Sequence, residues 1–253
     1  MDAYYHYNQY RCCINKAYAH KNAYKKYMNK AAYHIRMYQF LSNRGYNPDR
    51  PWEKDTQIAI ISTEYIRNEL MDVEYPRVSG LSNIRVEMQI NRDIHHLVLQ
   101  MISEQTPPGS SNTSITARYQ VPLNKQGLLS IRLENYAYTP PAAHGITIVR
   151  SLTFDLNTGA VYKFSDLFNP DSSYKEALNQ IIEKQIEKRQ IPLINEFEGI
   201  SDKQEYYLTP NSLVIYYQLY ELAPYVYGIV EFPIAYSEIK DYINPAGPIA
   251  RLI

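Results

Sequence analysis

Cysteine is almost missing from this chain: Cys12 and Cys13 are the two in 253 residues, and they are neighbours. Vicinal cysteines rarely bridge each other, and no third is present to tie the rest together. A disulfide scaffold is therefore excluded, and cysteine usage leaves the redox compartment open. Glycine is scarce, with nine residues, and none are gathered into a phosphate-cradling loop or a nucleophile elbow. A His-Glu-x-x-His pair and a paired-cysteine zinc motif are also lacking. No apolar run is long enough to span a bilayer. Met1–His6 shows no apolar stretch of the kind an export signal needs. The expectation is a chain without a transmembrane segment, cytoplasmic or spore-associated unless exported by another route.

What is present is globular in composition. Apolar residues make up 45% and charged residues 21%, enough for a core and too few charges for a disordered chain. The formal charge is zero, but it is unevenly spread. Residues 1–50 hold nine Lys/Arg against two Asp/Glu, so a basic arm precedes an acidic body. Tyrosine is the outlier, with 26 residues against six Phe and one Trp. A Tyr ring is apolar while its hydroxyl seeks a partner, which suits shallow, half-wet contact surfaces.

The arm repeats every seven residues. Asn recurs at Asn8, Asn15, Asn22 and Asn29. Tyr10, Ala17, Tyr24, Ala31 and Tyr38 follow in step with Tyr7, Ile14, Lys21, Met28 and Ile35. These spacings predict one long amphipathic helix over 1–45 with a Tyr/Ala seam. Such a helix needs a surface to pack on, so self-association through it is one expected mode of assembly. Its charges are distributed around the helix and not gathered on one face, so nucleic acid is not an expected partner.

Beyond a linker at 46–55, the reading is a first α+β part over 56–113 and a second over 114–253 with a C-terminal helix. Strands are expected between Thr56 and Arg77, a helix over Leu81–Ser103, and strands over 115–121, 128–138, 146–156 and 161–164. Leu129–Glu134 alternates apolar and polar residues, which predicts one dry and one wet face. Asn157-Thr158-Gly159 reads as a hairpin turn. Ser173 to Gln190 reads as a helix opened by a Ser173/Glu176 capping box. Leu213–Tyr217 and Ile229–Ile234 read as strands joined by a Pro/Gly corner, and Ser237 as the cap of a last helix. The fold class is α+β, with a largely antiparallel sheet and helices packed across it.

Tyr220-Glu221-Leu222-Ala223-Pro224-Tyr225-Val226-Tyr227-Gly228 followed by Pro233-Ile234-Ala235-Tyr236-Ser237-Glu238 resembles a bacterial domain of unknown function. So do Ala143-His144-Gly145, Phe154–Gly159, Ser165–Phe168 and, more weakly, Tyr75–Gly80 with Ile90-Asn91. That domain forms the extracytoplasmic part of lysozyme-sensing anti-sigma factors and precedes the catalytic domain of some peptidoglycan deacetylases. The resemblance implies a non-enzymatic recognition module for a cell-wall-related ligand or a protein such as lysozyme. It carries over no deacetylase chemistry.

The candidate ligand-binding residues are Tyr220, Glu221, Tyr225 and Tyr227 on the corner, with His144. Loops on a rigid scaffold are where binding groups are usually displayed. His144 also suits a structural bond to a backbone carbonyl beside Gly145. Adjacent His95 and His96 point about 100° apart on a helix, which favours a core-edge and a surface histidine over metal ligands. Neither a catalytic residue, a metal nor a cofactor is expected. The alternatives are an enzyme or enzyme accessory acting on cell-wall glycans, and a Tyr-rich structural protein of a spore or envelope layer.

Overall fold

The structure, a computed structural model, describes residues 57–253 together with Gln9. The helix expected over 1–45, Gln9 apart, and the linker at 46–55 lie outside the described residues. Two sheets organise the rest. The first holds β1 (Ile60–Arg67), β2 (Met71–Ser79), β3 (Ser114–Lys125), β4 (Leu128–Tyr138) and β5 (Ile146–Asp155) in that spatial order. It is antiparallel throughout except at β2–β3, which run parallel across the crossover through α1 (Ile84–Gln105). The second sheet is antiparallel and holds β6 (Tyr206–Leu208), β7 (Ser212–Tyr217) and β8 (Val230–Ala235). The architecture is α+β, as the element pattern predicts.

Helix α1 buries Ile90, Ile94, Val98 and Met101, a row at helical spacing. They meet Leu129, Ile131 and Leu133 on alternate positions of β4. Asn91 fixes this packing: its side chain accepts from Val78 N at 2.8 Å and donates to Val78 O at 2.7 Å. It thereby satisfies a strand residue's backbone as a neighbouring strand would. Asn124 does the same for Ala59, and Gln218 for Val149.

The opposite face of the first sheet meets the second. Val149 packs with Tyr207, Val214 and Tyr216, and Ser130 Oγ accepts Leu208 N at 3.1 Å. The far face of the second sheet, with Ile215, Phe232 and Ile234, is covered by Leu178, Ile182 and Ile186 of α2 (Tyr174–Arg189). Two side chains of α2 reach the backbone of β8: Gln185 donates to Pro233 O and Arg189 to Glu231 O.

Several local expectations are corrected. β4 has no wet face over Leu128–Leu133: all six residues are buried, because α1 covers one side and the second sheet the other. Residues 161–164 are not a strand. Val161 makes one isolated bridge to Phe154, and the chain turns at once into a 3₁₀ turn, Phe164–Leu167. Ser173 makes no side-chain cap bond, so the expected capping box is not formed. Instead Asn169 organises the approach, accepting Asp171 N and, through its carbonyl, Ser172 Oγ. The last helix begins at Tyr236, one residue before the expected cap Ser237, and Glu238 accepts Ala235 N at 3.0 Å. No described helix is long and apolar enough to cross a membrane.

Candidate functional site

The corner between β7 and β8 is built by its own backbone demands. Tyr217 ends β7, and Gln218 N donates to the Glu221 carboxylate at 2.6 Å, closing a turn. Tyr220 within that turn takes a positive φ of 63°, an unusual conformation for a bulky residue and one the surrounding bonds must hold. Leu222 and Ala223 are buried and anchor the loop. Pro224 then starts a 3₁₀ turn, Tyr225–Tyr227, which Gly228 ends at φ 66°. Val226 projects from it at 84% exposure, between Tyr225 and Tyr227. The corner tyrosines are thus not core wedges: Tyr220 and Tyr227 are about half exposed, and Tyr225 is half-buried.

The sequence candidates separate into two groups. His144, Tyr220 and Tyr225 come together: the His144 and Tyr225 rings lie 4.4 Å apart, and the Tyr220 and Tyr225 rings 5.6 Å apart. His144 Nδ1–H donates to Gly145 O at 2.9 Å, and Tyr225 Oη donates to the same oxygen at 3.3 Å. Glu221 has one carboxylate oxygen committed to Gln218 N. Tyr227 lines the cleft described next, which Tyr225 also borders. His95 is half-buried against the Tyr75 ring, and burial lowers its pKa. His96 is exposed. Among the described residues no group of three or more His, Cys, Asp or Glu could hold a metal ion.

Gly145 is the pin of the ring cluster. A Cβ there would sit 2.4 Å from Tyr136 Cζ and 2.5 Å from Ala137 O, too close for either to remain in place. Gly145→Ala is expected to cost about 1–3 kcal/mol, the range for overpacking. It should also displace the His144–Tyr225 stack. Thermal denaturation and the ring-current shifts of Tyr225 check it; an unchanged melting temperature with unchanged shifts would contradict the packing.

Below the corner opens a cleft of about 570 Å³, lined by Gln120, Arg132, Glu134, Thr147 and Glu231 and roofed by Leu219 and Tyr225–Ile229. Arg132 forms its floor with a side chain only 9% exposed. Its Nη1 donates to Glu134 Oε2 at 2.8 Å. Its Nε lies 3.2 Å from Glu231 Oε1, near enough for an ion pair yet off line, so that Nε has no hydrogen-bond acceptor. Glu231 Oε2 accepts the Tyr207 hydroxyl at 3.1 Å; that hydroxyl's pKa is pushed up to about 12 by burial, then by the charge of Glu231.

Sequence reasoning reached Tyr225 and Tyr227 of this cleft and missed Arg132, Glu134 and Glu231. The signal available was Arg132 and Glu134 two apart on one strand face, with Glu231 in a second apolar strand. Nothing local says that these strands meet.

Comparison with known proteins agrees with this fold. Residues 165–237 match a family model described as a protein of unknown function (DUF3298). The chain is 27% identical over 199 residues to the anti-sigma-V factor RsiV of Bacillus subtilis. That alignment takes in 72% of this chain and 65% of the relative's length. Two solved structures share the fold. A DUF3298-family protein from Pseudomonas aeruginosa superposes with a TM-score of 0.58 at 15% identity, covering 79% of this chain and 98% of its own. A family member from Bacteroides fragilis does so with a TM-score of 0.53 at 16% identity, covering 78% and 97%.

Proposed function

We propose that the body of this chain is a non-enzymatic recognition module that binds a cell-wall-related ligand or a protein such as lysozyme at the Leu219–Glu231 corner. The observation that carries this reading is a turn that exposes Val226 and Tyr227 over a polar cleft while half-buried Tyr225 stacks between His144 and Tyr220. Exposed aromatics on a braced corner lose little side-chain freedom on binding, which is what makes such residues effective anchors. The likeness to an anti-sigma factor supports a regulatory, ligand-sensing role. The alternative of an enzyme acting on wall glycans, with His144, Glu221 and Tyr225 as its polar groups, has less support. His144 and Tyr225 share one carbonyl, and Glu221 closes a turn.

A ligand of this class requires the protein to meet the wall, by export or within a spore layer, and cell fractionation would test that placement. Binding itself can be measured by surface plasmon resonance with immobilised lysozyme and with solubilised peptidoglycan fragments. Tyr225→Ala and Tyr227→Ala are expected each to weaken binding by about 1–2 kcal/mol, with the circular dichroism spectrum intact. Retention of neither ligand by the parent chain, or equal binding by both variants, would reject the corner as the recognition surface.

A further inference from the structure

We propose that the cleft beneath the corner takes an uncharged oligosaccharide, an inference that rests on the recognition reading and narrows its ligand. The floor carries one buried cation, Arg132, paired with two carboxylates, Glu134 and Glu231, so the cluster holds one surplus negative charge. A small anion would have to face those two carboxylates, which are 47% and 35% exposed. A cation would approach a guanidinium fixed in the floor. The surplus negative charge repels an anion, and a cation must shed its water beside the fixed guanidinium of Arg132. Desolvating a charge without a full partner set is expensive.

A polyol avoids this conflict, because each hydroxyl both donates and accepts. It can donate to the carboxylate oxygens of Glu134 and Glu231 while accepting from the rim amide of Gln120, and Thr147 provides a further hydroxyl. Glu231 Oε1 takes no in-line bond from Arg132 Nε, so it keeps acceptor capacity for such a hydroxyl. The roof supplies the complementary half. Tyr225 and Tyr227 offer apolar ring surface, with Val226 and Ile229 beside them, against which the C–H faces of a sugar ring can pack. A cleft of about 570 Å³ falls within the roughly 300–1,000 Å³ of small-molecule sites, room for a short oligosaccharide but not for a folded domain.

Isothermal titration calorimetry on the full chain tests this with cellotriose and triacetylchitotriose as neutral probes, trilysine as a cation and inorganic phosphate as an anion. At least one neutral sugar is expected to bind at millimolar concentration or below, and neither ion to compete. Glu134→Gln, an exposed position that leaves Arg132 its Glu231 partner, is expected to weaken the sugar about tenfold, equivalent to about 1.4 kcal/mol. Tyr227→Ala is expected to do the same with its melting curve unchanged. Glu134→Gln, which removes one of the charges paired with buried Arg132, is expected to melt at a lower temperature while staying folded at the titration temperature.

The proposal is overturned if neither sugar binds, if both variants bind sugar as the parent does, or if only trilysine or phosphate binds. Should the sugars fail while Tyr225→Ala still weakens capture of lysozyme or wall fragments, the glycan assignment falls and the recognition surface stands. Should both fail, the corner is not a binding site.

Discussion

Asp155→Ala is expected to destabilise the protein by about 3–5 kcal/mol, the range for removing one partner of a buried ion pair. The side chain is 6% exposed and ties three separate pieces together. Its Oδ1 accepts the backbone N–H of Asn157 and Thr158, which shapes the turn at the end of β5. Its Oδ2 accepts Tyr162 Oη at 3.0 Å and Arg251 Nη2 at 2.7 Å, bringing in the C-terminal segment. Burial pushes the Asp155 carboxyl pKa up, but the Arg251 bond, the two backbone donors and the Tyr162 hydroxyl outweigh it and hold it below the ordinary range. A depressed folded pKa means that this stabilisation is present above the unfolded value of roughly 4. It is lost as pH falls through the folded value. Urea denaturation at neutral pH measures the variant; a loss below about 1 kcal/mol, the size of an ordinary surface change, would show that Asp155 does not hold these pieces. Asp155→Asn should fall between, since its amide keeps one acceptor oxygen.

The pH dependence of stability is expected to carry a contribution of the opposite sign from Glu87. This side chain opens α1, is 2% exposed and accepts Leu81 N at 3.1 Å. Burial raises its pKa to about 8, against partial relief from the backbone N–H groups of Leu81 and Gly80. The folded protein therefore holds a proton that the unfolded chain has released. This contribution is fully present below the unfolded value of 4.5 and is lost as pH rises through about 8. Each pH unit well inside that window costs about 1.4 kcal/mol. Glu87→Gln keeps an acceptor and cannot ionise, so it should match the parent near pH 5 and exceed it in stability near pH 8. His95, lowered by burial, contributes with the opposite sign, and Glu205, raised by burial, with the same sign. Both remain in the variant, so the difference between the two melting curves across pH isolates Glu87. A difference that does not change from pH 5 to pH 8 would refute the assignment.

The elements were readable because their residues carry local periodicity. The alternating and β-branched runs became β1–β5, β7 and β8, and the apolar row Ile90, Ile94, Val98, Met101 became the buried face of α1. The errors fall where a local signal competes with a long-range contact. Ser173 and Glu176 have capping spacing, yet Ser173 makes no cap bond. Val161–Phe164 looks extended, yet the Tyr162 carbonyl is taken by Tyr206 Oη from a distant strand. The tyrosine excess also divides in a way composition cannot show. Tyr206, Tyr207, Tyr216, Tyr217 and Tyr236 are core residues, while Tyr220 and Tyr227 face solvent.

By itself the sequence determined the α+β class, most strands and the long helices of the described residues, and the Pro/Gly corner with its aromatic residues, because dihedral preferences and side-chain periods are properties of short segments. Only the tertiary structure decided what the corner covers. Arg132 reads as the polar residue of an alternating strand, and its burial follows from the second sheet closing over β4. Its meeting with Glu231 spans nearly a hundred residues of chain and depends on which sheet faces pack together. No local pattern encodes that choice, since it is set by the apolar area both sheets bury at once.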